Sequence, residues 1–137
     1  ESEQAFAAAE DRDCPEWLAY FDSAYLAAKF ARCFRDLGRP AEAERFARRS
    51  LDMIEGYDRG RLFNLTLLAS VLADQRKIEE ACDTGLAALR IASDVRSART
   101  DADLADLSQR LTPFQTEPTV QSLRTQIRVL IQRAGGA

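Results

Sequence analysis

The sequence contains no histidine. That removes the commonest general base and the commonest metal ligand, and with them every Ser-His or Cys-His pairing. The three cysteines, Cys14, Cys33 and Cys82, are too few and too far apart for a disulfide framework or a zinc knuckle. They read as small apolar fillers in a reducing compartment. The alternative is a redox-sensitive thiol at Cys14, which falls in an expected loop. Glycine and proline are scarce, 6 and 4 residues, so there is little turn punctuation for a β protein. No apolar run approaches the roughly 20 residues of a membrane span, and residues 1–10 do not resemble a secretory leader. No glycine-rich phosphate loop occurs. Carboxylates such as Glu79, Glu80, Asp101 and Asp103 lie on expected helical faces with no sign of a pocket. The expectation is a non-enzymatic chain with no catalytic residue, no cofactor and no metal.

What is present points to helices. Alanine, arginine and leucine dominate, all good helix formers. The 137 residues, 46% of them hydrophobic, suit one domain with a real core. The net charge of −3, with acids and bases mixed, exerts no general pull on nucleic acid. Arg45, Arg48 and Arg49 form a basic patch, and Arg124, Arg128 and Arg133 form a stripe. Both are diluted by acids elsewhere, so direct nucleic-acid binding by this chain is not expected. The chain begins with Glu1 rather than methionine, and is expected to be part of a longer protein.

An internal repeat organises the rest. Ala31 to Ala43 and Ala69 to Ala81 run in parallel at one constant offset. Each has a small residue, a large apolar one three later and an alanine nine beyond that. The same gap recurs a third time, from Leu111 to Val120. Stepping back from Ala43 by the same offset reaches Ala5, in the apolar stretch Ala5–Ala9. Helices are expected at residues 2–10, from Asp13 or Cys14 to Leu37, from Pro40 to Glu55, from Asp58 as a cap to Gln75, from Lys77 to Ser93, from Ser97 or Thr100 to Leu111, and from Pro118 to Arg133. Proline suits a first helical turn, and Pro113 stops the helix before it. In residues 43–54, Ala43, Phe46, Ala47, Leu51 and Ile54 make one apolar face, with Glu42, Glu44, Arg45, Arg48 and Arg49 off it.

This pattern resembles the tetratricopeptide repeat (TPR). In that family a small residue stands eighth, an aromatic eleventh and an alanine twentieth, places that Ala31, Phe34 and Ala43 fill here. The resemblance implies an all-α stack of antiparallel helix-pair repeats, a TPR-like α-solenoid of about six to seven helices. It divides the single domain 1–137 into a half repeat at 1–12, repeat 1 at 16–56, repeat 2 at 58–93 and a degenerate repeat 3 at 97–133. Val120 stands in repeat 3 where alanine is usual, and terminal repeats are often atypical.

The family register also implies a binding groove along the first helix of each repeat. It assigns Tyr25, Ala28, Arg32 and Arg35 from repeat 1, then Phe63, Thr66, Ser70 and Ala73, then Ala102, Ala105, Gln109 and Thr112. A protein or peptide ligand would be anchored by Tyr25 and Phe63, with Arg32 and Arg35 on an acidic group. The competing reading makes the aromatics core and pairs the arginines with Asp36, Asp74 or glutamates. The lysine and asparagine pattern of carboxylate-clamp TPR domains is absent.

Trp17, Tyr20 and Phe21 either staple the half repeat or form a partner interface. Phe6, with Ala5 and Ala9, leaves an apolar face for a homodimer. Arg59, Arg61, Arg96 and Arg99 sit near helix starts, where cations oppose the dipole. They are either solvated or answered by an acidic partner, inside the fold or outside it.

Cys14 to Asp22, Arg32-Cys33, Leu37-Gly38-Arg39, Ala81-Cys82 and Ser97-Ala98-Arg99 further resemble the C-terminal TPR region of actinobacterial helix-turn-helix transcription regulators. That resemblance implies a cytoplasmic bacterial regulatory domain with its DNA-reading module upstream. The alternative is a general TPR scaffold in an assembly unrelated to transcription.

Overall fold

The computed structural model describes residues 16–52, 58–95 and 97–135. Among these the chain is all helical, with six α-helices in order: α1 (Glu16–Asp36), α2 (Pro40–Ser50), α3 (Asp58–Asp74), α4 (Ile78–Val95), α5 (Ala98–Arg110) and α6 (Pro118–Gly135). A 3₁₀ turn, Thr112–Phe114, precedes α6. The helix expected at 2–10 lies outside the described residues.

Each helix is set by local chemistry. Pro40 opens α2 with its φ already helical and no N–H to orphan. The next turns bury Ala43, Phe46, Ala47 and Ser50, a three- and four-residue spacing that makes one apolar stripe. Ser97 caps α5: its hydroxyl accepts from the Thr100 N–H, and the Thr100 hydroxyl accepts from the Ser97 N–H. Asp58, expected as a cap, is the first residue of α3 itself, where its charge suits the dipole.

Helix α2 is shorter than the Glu55 end its periodicity suggests. It stops at Ser50, whose buried hydroxyl donates back to the Ala47 carbonyl at 2.6 Å. The Asn64 amide of α3 donates to the Ser50 carbonyl at 2.9 Å. A buried carbonyl at a helix end needs such a partner.

The helices pack as three successive hairpins, α1 with α2, α3 with α4 and α5 with α6. Helix α3 is central, touching α1, α2, α4 and α5, while α4 packs on α6. Its burial follows: Leu62 and every residue from Asn64 to Ala73 are buried. The repeat's signature residues serve this packing, since Ala31, Ala43, Ala69, Ala81, Leu72 and Val120 are all fully buried.

The first two hairpins close with the same turn. Arg39 N–H donates to the Phe34 carbonyl and Gly38 N–H to that of Arg35. Lys77 and Arg76 do the same with Leu72 and Ala73. Both turns need a left-handed residue after the helix. Gly38 supplies it at φ 75°, and Arg76 takes it at φ 65°.

The third hairpin differs. Helix α5 ends at Arg110, because Pro113 cannot continue the ladder, and the chain reaches α6 through the 3₁₀ turn. Helix α6 buries Val120, Leu123 and Ile127. Opposite Leu123 stands Gly85 of α4, where an added Cβ would come within 2.8 Å of a Leu123 methyl.

Candidate functional site

The side chains that matter lie where α1, α3 and α5 run together. Arg32, Arg35, Phe63, Thr66, Leu67, Ser70 and Asp103 line one cleft there. Among them are Arg32, Arg35, Phe63, Thr66 and Ser70, which the family register assigns to the groove. Tyr25 and Ala28 are not brought into it. Tyr25 is 55% exposed, with the Lys29 ammonium 4.9 Å above its ring, and Ala28 is buried against the core. Phe6 and the side chains of Trp17 and Tyr20 lie outside the described residues.

Helix α3 forms the floor. Its two hydroxyls are turned back on their own helix, Thr66 donating to the Leu62 carbonyl at 2.8 Å and Ser70 to that of Leu67 at 2.7 Å. Their small size lets side chains from α1 and α5 meet over α3. Arg35 crosses this way: it donates to Ser70 Oγ at 3.0 Å and stands 3.9 Å from Asp106 of α5. It also pairs with Asp36 at 3.4 Å and is only 12% exposed. Arg35 therefore has partners within the fold, among them the Asp36 that the competing reading of the arginines names.

Arg32 and Arg99 are placed differently. Arg32 lies 5.8 Å from the Phe63 ring centroid and Arg99 lies 4.7 Å from it. The ring's negative face favours both cations. Neither arginine makes an ion pair or a side-chain hydrogen bond among the described residues, so their N–H edges remain open donors. Arg99 sits in the first turn of α5, against the dipole, and Phe63 is what it meets there.

Asp103 completes the cleft. Its Oδ2 atom is buried and has no hydrogen-bond partner among the described residues. Burial pushes its carboxyl pKa up, while Arg32, Arg99 and Arg35 pull it down. Asp103 does have a pocket, contrary to the expectation from its helical face. The reason lies in α5. Ala102, Ala105, Gln109 and Thr112, assigned to the groove, point outward, all exposed. The neighbouring Asp103, Asp106 and Arg110 face α3 instead. Arg110 bonds Asp74 at 2.6 Å and Asp106 at 2.7 Å. The sequence carries a signal for this. At the matching places of the preceding repeat stand Asn64, Leu67 and Val71, inward positions of α3.

A second charged cluster is structural. Glu44, expected on the solvent side of α2, is only 14% exposed and accepts from Arg48 at 2.7 Å, Lys77 at 2.9 Å and Gln75 at 2.6 Å. Burial raises its pKa, but the three donors and the Arg48 charge outweigh that and hold the carboxyl at about 2. The cluster ties α2 to the turn between α3 and α4.

Of the cysteines, Cys82 is the buried apolar filler expected, its thiol pKa pushed up by burial against the Thr119 hydrogen bond. Cys33 is exposed instead, because Ala31 and Phe34 take the inward positions of that turn. Cys14 lies outside the described residues. Among the described residues no group of three or more acidic or cysteine side chains could hold a metal, and no helix is long and apolar enough to cross a membrane.

The free space in the cleft is about 10 Å³, room for about one water molecule. Enclosed small-molecule sites occupy roughly 300–1,000 Å³. The geometry therefore suits a group presented at the surface rather than an engulfed metabolite. No family model matches the chain, and no curated protein or solved structure is significantly similar to it.

Proposed function

We propose that the chain is a non-enzymatic binding module, a TPR-like α-solenoid that takes a protein or peptide partner along α1, α3 and α5. One observation carries this reading: Arg32 and Arg99, from two different helices, converge on Phe63 with their donor edges unpaired. Stacked guanidiniums are held in place without being satisfied, which is how a recognition surface differs from a salt-bridged one. The serial hairpins support the solenoid reading, as do the two matching turns, which stand apart by the repeat's own offset. The resemblance to transcription regulators implies a module in the bacterial cytoplasm, behind a DNA-binding domain. The residues encoded ahead of Glu1 test that implication, and it fails if they contain no DNA-binding module.

The binding itself is tested by panning a random peptide library on the folded chain. Phe63→Ala and Arg99→Ala should each weaken the tightest peptide about tenfold or more, with helical circular dichroism retained. Absence of any peptide binding, or binding indifferent to both substitutions, overturns the proposal.

A further inference from the structure

Three cations stand at and beside the cleft without an acid to answer them. Lys29 and Arg32 lie about one turn apart on the same face of α1. Arg99 of α5 reaches the same ring as Arg32. Each is placed by an aromatic ring: Lys29 by Tyr25 at 4.9 Å, Arg32 and Arg99 by Phe63 at 5.8 and 4.7 Å. None of the three makes an ion pair or a side-chain hydrogen bond among the described residues. Lys29 and Arg99 are exposed and Arg32 partly so, which leaves their donors open to solvent outside the cleft.

The acids nearby do not cancel this charge. Asp103 is the one carboxylate lining the cleft, and its Oδ2 is buried. Asp36 pairs with Arg35, and Asp106 with Arg35 and Arg110. Three cations against one largely buried acid leave the lip of the cleft positive, on a chain whose net charge is −3. Like charges gathered this way repel, so the grouping opposes folding. Negative charge brought from outside relieves it.

The geometry selects the carrier. The cleft has room for about one water, so the incoming groups lie over the cations and do not enter it. Nucleic acid needs a broad basic footprint, whereas here Asp36, Asp103 and Asp106 stand among the cations. An acidic stretch of polypeptide presents carboxylates at separate positions to separate cations. Arginine pairs with a carboxylate through two parallel bonds, and lysine as a point charge.

We propose that Lys29, Arg32 and Arg99 dock an acidic segment of a partner protein, its aspartate and glutamate side chains lying over the lip of the cleft. Tyr25 and Phe63 hold the cations in place for it. The inference rests on the binding-module reading and names the partner's charge.

The test uses peptides selected from a random library by the folded chain, with affinity read by fluorescence anisotropy. The tightest binder should carry more than one acidic residue. Exchanging its aspartates and glutamates singly for asparagine and glutamine should cost about three- to tenfold each. Raising salt from about 0.05 to about 0.5 M should weaken it by about tenfold or more, because exposed pairs are screened. Arg99→Gln should weaken the acidic peptide by about tenfold and Lys29→Gln by about threefold. Both should leave its fully amide-exchanged version nearly unaffected, which a merely structural role would not do. Both side chains are exposed and unpaired, so the melting curves should match the parent's. If no peptide binds at all, the binding-module reading itself falls. If peptides bind but are no richer in acidic residues than the library, or if both glutamine variants bind the acidic peptide as the parent does, the module stands and the acidic docking is overturned. A single-stranded oligonucleotide that displaces the labelled peptide at lower concentration than the unlabelled peptide does overturns it equally.

Discussion

Helix α3 turns Asn64, Leu67 and Val71 inward, and all three are buried. At the matching places of the next repeat, α5 turns Asp103, Asp106 and Arg110 the same way. Between these positions the apolar line is kept: Leu65, Leu68 and Leu72 answer to Leu104, Leu107 and Leu111, all buried. The two helices therefore share a packing register but not a chemistry. One seam is apolar apart from a single satisfied amide, and the other is a row of charges. Charge at an inward position is destabilising unless answered. Along α5 it is answered for Asp106 and Arg110, as it is for Arg35 of α1, and left open at Asp103, while Arg32 and the exposed Arg99 stand beside it without ion pairs. The contrast separates what the repeat needs in order to stack from what this chain adds to it.

Substitutions in the two helices sharpen or break that contrast. The largest effects should come from the shared apolar line. Leu68→Ala and Leu107→Ala should each destabilise the fold by about 3 kcal/mol, with similar midpoint shifts in urea denaturation. A much smaller loss for Leu107 would mean that the third hairpin is not packed as the second is.

Next comes the charged seam. Arg110→Ala should cost about 2 kcal/mol, because Asp74 and Asp106 lose their shared partner. Replacing the row with its α3 counterparts, Asp103→Asn with Asp106→Leu and Arg110→Val, should cost less, about 1 kcal/mol, because Asp106 is removed together with Arg110 and only Asp74 is left without its partner. Thermal melts read both.

The Glu44 cluster should follow pH. Its carboxyl titrates at about 2 when folded, against 4.5 for the ordinary group. The stabilisation is thus complete above about pH 4.5 and is lost as pH falls toward 2. Arg48 and Lys77 are about half-exposed, so screening limits it to about 1–2 kcal/mol. Glu44→Gln should remove that part of the acid sensitivity, as seen in melts between pH 5 and 2.5.

The smallest effects concern the matching turns. Arg76→Gly should stabilise by about 1 kcal/mol and Gly38→Ala destabilise by about as much. Both positions hold a left-handed residue.

Much of this fold is legible in the sequence because its determinants are local. Pro40 and Pro118 open helices where they stand, Ser97 caps one, and alanines repeat where helices cross. The end of α2 is not legible: it depends on Asn64, far along the chain in α3, bonding the Ser50 carbonyl. Glu44 escapes for the same reason, its partner Lys77 lying beyond the whole of α3. In the cleft, Arg32 and Phe63 are found from the sequence and Asp103 is not, while Arg99, outside the cleft lining but over the Phe63 ring, reads only as a cation at a helix start. A charged residue on a helix reads as solvated until its neighbours across the seam are known. Only the repeat correspondence with Asn64, Leu67 and Val71 marks Asp103, Asp106 and Arg110 as inward.

The central claim is that the open charges around Phe63 serve binding rather than folding. It is met most directly by measuring one peptide's affinity for the parent chain and for the Arg99→Ala variant, beside the melting curve of each. The predicted result is a variant as stable as the parent that binds the peptide at least about tenfold more weakly. A variant that binds as the parent does, or one that simply unfolds, would contradict it.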